Sequence, residues 1–142
     1  MKKITIYFDG SGYPNPKSAI VIANEKGEII KKDINFHPKG TTSNEAEYLG
    51  LIMALEEAKK MENVKNIDII GDSQLVVRQV NGLYKTQHPR LQKLNKKVIS
   101  MLKELNDKNV QIKWVRRENN LAGILLEKGK NRRNKENKVF IK

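Results

Sequence analysis

The spacing of apolar residues changes character along this chain, and that change limits what it can fold into. Residues 4–8 (ITIYF) and 19–23 (AIVIA) are β-branched and aromatic runs of strand length. The stretch between them, Gly10-Ser11-Gly12-Tyr13-Pro14-Asn15-Pro16, is dense in turn-forming residues. Asn24-Glu25-Lys26-Gly27 reads as a hairpin loop into a third strand at 28–36. Three consecutive strands with short connections predict an antiparallel meander. From residue 44 the spacing becomes helical. Over 44–60, Leu51, Ala54, Leu55 and Ala58 share one stripe, and Thr42, Ser43 or Asn44 offers an N-cap. The apolar run at 67–70 predicts a buried strand, and Asp72-Ser73 opens a helix through Val80. After His88-Pro89, the residues Leu91, Leu94, Val98, Leu102 and Leu105 form the apolar face of another helix. Residues 110–115 predict a last strand and 121–127 a last helix. A meander followed by alternating strands and helices predicts an α/β fold, a mixed sheet with helices packed on it.

A length of 142 residues, 38% of them hydrophobic, suffices for one domain with one modest core. The chain has no cysteine, so disulfides and thiolate metal sites are excluded, which suits a reducing cytoplasm. The first apolar run ends at Asp9 after about five residues, too short for a signal-peptide core or a membrane span. A soluble cytoplasmic protein that engages no membrane is therefore expected; it is taken as a monomer, and the sequence gives no ground to infer a protein partner. The net charge of +12 points to a polyanion, because basic surfaces gain affinity for nucleic acid by releasing its counterions. Half of that charge lies between Lys128 and Lys142, which hold seven Lys or Arg and one Glu. The expected division is a domain over 1–128 and a basic tail over 129–142. Such a tail either binds nucleic acid or merely solubilises the chain end.

Acidic residues stand where the pattern calls for apolar or neutral ones. Asp9 ends the first predicted strand, and Asp72 follows the central one. In an open sheet with helices alongside, such strand ends border the crevice where ligands bind. At about 100° per residue, Glu47 lies about 40° from the Leu51 stripe and Glu45 about 120° from it, so Glu47 points inward and Glu45 outward. An inward carboxylate is costly unless it is paired. Either a lysine neutralises it, or it joins Asp9 and Asp72 around a cation. All-oxygen carboxylate ligation suits magnesium or manganese rather than zinc.

Four segments, taken in order, resemble the signature blocks of type 1 ribonuclease H. They are Ile6-Tyr7-Phe8-Asp9-Gly10-Ser11, Thr41-Thr42-Ser43-Asn44-Glu45-Ala46-Glu47-Tyr48, Gly71-Asp72-Ser73-Gln74-Leu75-Val76 and Trp114-Val115-Arg116-Arg117-Glu118-Asn119. The resemblance spans about residues 4–127 and implies a ribonuclease H-like fold with a five-stranded mixed sheet. It also implies hydrolysis of the RNA strand of RNA–DNA hybrids with two magnesium or manganese ions. By residue match, Asp9 bridges both ions, Glu47 supports one, and Asp72 binds near the attacking side. The match further implies nucleic-acid contacts by Gly10, Ser11, Asn15, Ser43, Asn44 and Gln74, with Thr42 in a phosphate pocket.

The match breaks at the fourth metal ligand, where the family's Asn-x-x-Ala-Asp pattern meets Asn119-Asn120-Leu121-Ala122-Gly123. Glu127, one helical turn on, is the candidate replacement, since helical side chains lean toward the N-terminus. The alternative is a surface acid paired with a basic neighbour. Residues 14–18 also lack the family's loop glycines, and Ser43 replaces an asparagine. His37 and His88 read as loop residues, so no histidine proton shuttle is expected. Lys93, Lys96 and Lys97 either add hybrid affinity or form a solvated helix face. Besides an active hybrid-specific nuclease, the sequence leaves open a hybrid-binding module with weak or lost cleavage, and a nuclease of this fold acting on DNA.

Overall fold

The computed structural model describes residues 2–127; the basic tail at 129–142 lies outside the described residues. The strands are β1 (Lys3–Ser11), β2 (Lys17–Ala23), β3 (Ile29–Phe36), β4 (Asn66–Gly71) and β5 (Asn109–Trp114). The helices are α1 (Ser43–Lys60), α2 (Gln74–Val80), α3 (Pro89–Glu104) and α4, whose described part covers 121–127. A 3₁₀ turn, Arg117–Asn119, precedes α4. The sheet order is β3-β2-β1-β4-β5, with β1, β2 and β3 antiparallel and β4 and β5 added in parallel. This is the expected mixed sheet. Among the described residues, no helix is long and apolar enough to cross a membrane.

Strand β1 runs further than its apolar run predicts. Gly10 pairs with Ser18 and Ser11 with Lys17, so the turn begins only at Gly12 and Asp9 lies inside the strand instead of at its end. Cross-strand pairing outweighs the weak strand propensity of Gly and Ser here. Helix α1 starts where Thr42 caps it: its hydroxyl accepts from the Glu45 N–H at 3.1 Å, and the Glu45 carboxylate accepts from the Thr42 N–H at 3.1 Å. His88 caps α3, its Nδ1 accepting from the Arg90 N–H at 3.3 Å. It is a cap, not the plain loop residue expected. His37 also has a structural place, with its Nε2 at 2.6 Å from Ser18 Oγ, whose hydroxyl donates to the Ala46 carbonyl at 2.6 Å. Since Ser18 has one hydrogen to give, His37 is the donor in that pair.

The main core lies between the sheet and helices α1, α2 and α3, with Ile6, Phe8, Ile20, Leu51, Leu55 and Val98 among its buried members. On the opposite face, Ala122 and Leu126 of α4 cover Ala19 and Val21. Helix α1 lies unusually close to β1. A Cβ on Gly10 would fall 2.2 Å from the Ala46 carbonyl carbon, and one on Gly50 would fall 2.8 Å from the Asp9 carbonyl oxygen. Both positions therefore demand glycine for want of space. Gly71, just before Asp72, is similarly closed by the Phe8 ring.

Tyr48 ties the three helices together from inside the core. Its hydroxyl donates to Gln79 Oε1 at 2.7 Å and accepts from Asn95 Nδ2 at 3.2 Å. Tyr48→Phe keeps the ring and strands the buried Gln79 oxygen, a loss of about 1–2 kcal/mol. Chemical denaturation should show a lower midpoint with an unchanged m-value; an unchanged midpoint would mean that water satisfies Gln79 equally well.

Candidate active site

Three carboxylates meet over the close crossing of α1 and β1. Asp9 comes from β1, Glu47 from the first turns of α1, and Asp72 from the residue after β4. Each offers an oxygen within 4.8 Å of the others. The convergence expected from the sequence is thus present, and among the described residues the charges acting on Asp9 and Glu47 are those of the neighbouring acids and Arg117. Lys3 and Lys113 both bind Asp68, at 2.8 and 3.0 Å.

The inward orientation of Glu47 follows from its helical phase, and only 7% of the residue is exposed. Its Oε1 accepts from the Gly10 N–H at 3.1 Å, whereas Oε2 is buried with no donor of its own. Without a cation, relief comes from a proton shared with Asp9. Burial, then the bond to Asp9, then the charges of Asp9 and Asp72 push the Glu47 carboxyl up to about 10. Burial also raises the Asp9 carboxyl, with the charge of Asp72 adding to it against the bond from Glu47 and the nearby Arg117 guanidinium. Asp72 is held at two points: Asn120 Nδ2 donates to its Oδ2 at 3.0 Å, and Trp114 Nε1 donates to its carbonyl at 3.0 Å.

These acids floor a cleft of about 290 Å³. Of the other residues expected at the site, Gly10, Ser11, Ser43, Asn44 and Glu127 line it. Thr42, Asn15 and Gln74 do not, although Thr42 adjoins Ser43 as the cap of α1, and Gln74 and Asn15 are exposed. Gly123 also lines the cleft; a Cβ there would sit 3.2 Å from Asp9 Oδ2 and 3.6 Å from Asp72 Oδ2. Glu127 stands at the rim with its side chain 61% exposed, 4.0 Å from Arg117 Nε, and is not one of the three converging acids.

Two functional residues escaped the sequence reading. Arg117 brings a positive charge into the cleft. Asn120, fully buried, joins Asp72 to the Phe8 carbonyl (2.9 Å) while its Oδ1 caps α4 through the Ala122 N–H at 3.1 Å. Both lie in a non-periodic segment, where spacing carries no information about orientation.

The raised Glu47 carboxyl gives stability a pH dependence. Below pH 4.5, its ordinary value, the group is protonated in both the folded and the unfolded chain. As the pH rises from there toward about 10, the unfolded chain loses a proton that the folded one keeps, so folding stability falls across that window. In chelator at pH 8, Glu47→Gln should therefore be more stable than wild type, by about 1–3 kcal/mol. Thermal unfolding checks this, and a destabilised Glu47→Gln would show the carboxyl to be ionised and paired.

Known proteins carry the same arrangement of chain. The reverse transcriptase-like family model matches residues 8–126. Ribonuclease HI of Halobacterium salinarum is 32% identical over 108 residues, covering 74% of this chain and 53% of that protein. The bifunctional protein Rv2228c of Mycobacterium tuberculosis is 30% identical over 122 residues, 83% of this chain and 32% of its own length. The chain thus spans from a third to about half of these two relatives. Among solved structures, LC11-RNase H1, isolated from compost by a metagenomic approach, superposes with a TM-score of 0.80 at 31% identity, covering 89% of this chain and 93% of that one. LC11-RNase H1 in complex with an RNA/DNA hybrid gives a TM-score of 0.74 at 30% identity, covering 82% and 88%. A family match across nearly all the described residues, with the fold shared along almost the whole of a ribonuclease H1, shows that this chain belongs to the type 1 ribonuclease H family.

Proposed function

We propose that this chain is a divalent-cation-dependent endoribonuclease that cuts the RNA strand of RNA–DNA hybrids. One observation carries the reading. Glu47 Oε2 is buried without a donor, within a group of three acids that opens onto a cleft. A structural role would have matched that oxygen with a lysine or an amide. The donor set is all oxygen and negatively charged, which fits magnesium or manganese.

Asp9, Glu47 and Asp72 would hold the cation. When bound, it supplies Lewis acidity, activating water and offsetting charge on the phosphate. The chain supplies the rest. Asn120 and Trp114 fix Asp72 from its side chain and its backbone, so the carboxylate does not have to reorganise on loading. The Gly10 N–H holds Glu47 Oε1, which leaves Oε2 facing the other acids. Gly10, Ser11, Ser43 and Asn44 line the cleft at hand for an RNA strand and its 2′-hydroxyls, with Asn15, Thr42 and Gln74 as flanking contacts. The complex of LC11-RNase H1 with an RNA/DNA hybrid supports the choice of substrate. The net charge of +12 supplies non-specific affinity for its phosphates. We place the protein in the cytoplasm, in keeping with its cysteine-free sequence, and take it as a monomer.

A second reading, hybrid binding with little cleavage, draws on Gly123, which presents no ligand where a side chain would meet Asp9 and Asp72. Labelled RNA–DNA hybrid, duplex RNA and duplex DNA, each incubated with magnesium, manganese or chelator, separate the two. Metal-dependent nicking confined to the RNA of the hybrid is the expected result, and hybrid binding without nicking supports the second reading. Asp9→Asn should lower cleavage by more than about 100-fold, since even outer-shell losses at metal sites reach that size, while hybrid binding by gel shift persists. Cleavage that survives both chelator and Asp9→Asn would rule out this mechanism.

A further inference from the structure

We infer that the cleft accepts one divalent cation and not two, an inference that rests on the metal-dependent reading above. The acids approach from one side, from β1, α1 and the end of β4. Besides uncharged Gly10, Ser11, Ser43, Asn44 and Ser73, the cleft is walled by Arg117, Gly123, Leu126 and Glu127, and a second ion would have to find its further carboxylate in that last segment. That wall is hostile to a cation. Arg117 places a guanidinium in the cleft, close enough to act on Asp9. Asn120 presents an amide donor and already occupies Asp72 Oδ2 at 3.0 Å. Gly123 has no side chain, and its backbone packs so near that a methyl group would press on Asp9 Oδ2 at 3.2 Å. Glu127, the remaining acid of the wall, turns to Arg117 and is 61% exposed.

Charge leads to the same count. The three converging carboxylates and one guanidinium leave two negative charges at the floor of the cleft, which a single divalent cation neutralises, while the fourth lining acid, Glu127, stands exposed beside Arg117. A second ion about 4 Å from the first would add strong repulsion, with the exposed Glu127 the one lining carboxylate left to offset it. Hard cations also resist losing water without several oxygen ligands in return. The buried, unpartnered Glu47 Oε2 marks the single position, among the three converging acids.

Manganese serves as the probe, with free Mn²⁺ followed by electron paramagnetic resonance. The full wild-type chain is titrated alone and again when saturated with a hybrid whose RNA strand carries 2′-fluoro groups, so that cleavage does not consume it. Saturation at one Mn²⁺ per chain in both states is expected. Two per chain with the hybrid overturns the inference while leaving the nuclease reading intact; a return to one in Glu127→Gln would then identify Glu127 as the replacement ligand. If wild type binds no more Mn²⁺ than Asp9→Asn, the metal-centre reading fails, and this inference with it.

Discussion

The site depends on how closely helix α1 crosses strand β1. Glycines face each other's elements at this crossing, Gly10 under Ala46 and Gly50 over the backbone of Asp9. Any side chain at either position would push the helix outward and carry the Glu47 carboxylate away from Asp9. Ser18 adds a polar tie at the same place, through its bond to the Ala46 carbonyl one residue before Glu47, and His37 supports Ser18 in turn. Packing that looks like ordinary helix-on-sheet contact therefore sets a distance between two charged groups. A metal site tolerates little error in that distance, and a backbone crossing holds it more firmly than flexible side chains would.

The same closeness makes the site a source of instability. Three acids in partial burial repel one another, and one carboxylate oxygen lacks any donor. The surrounding core offsets this. Ile6, Phe8, Leu51 and Leu55, all at 0% exposure, lie in the layer beneath the acids, and each contributes about 1.5–3 kcal/mol by leaving water. Gly71 extends the scheme, because only a residue without a side chain leaves room for the Phe8 ring beside Asp72. The apolar face of β1 and the acid within the strand are thus coupled: Phe8 fills the core while Asp9, its neighbour, converges with the other two acids. The cost of the unpartnered group is borne by residues that never touch substrate.

Much of this was legible in the chain, for reasons that differ by residue. Strand and helix periods are strong in the core elements, so the meander, the sheet class and the helices stood out. The inward turn of Glu47 followed from its angle to Leu51 alone. Strand ends were harder to read. Gly10, Ser11 and Lys17 carry no strand signal of their own, and their pairing is a property of two strands together. Glu45 pointed away from the core stripe as expected, yet its side chain is only 15% exposed, because the cap of α1 and Arg90 at 3.2 Å hold it down. Arg117 and Asn120 could not be placed beforehand. Their roles depend on how a short irregular segment returns over the strand ends, and local sequence does not encode that path.

That returning segment also changes the meaning of Gly123. Read from the sequence, the glycine is a deletion, a ligand removed from an otherwise unaltered site. In the folded chain its backbone lies against the carboxylates, within reach of a tight contact for any added carbon. Helix α4 is drawn in by Asn120, whose amide bonds to both Asp72 and the Phe8 carbonyl, and by Ala122 and Leu126 packing on Ala19 and Val21. A side chain restored at position 123 would set its Cβ 3.2 Å from Asp9 Oδ2, a tight contact that the Asp9 carboxylate would have to yield to. The ligand set and the packing of the last helix therefore meet at this one position, where the Asn120 bridge and the small core under α4 hold the Gly123 backbone beside Asp9 and Asp72.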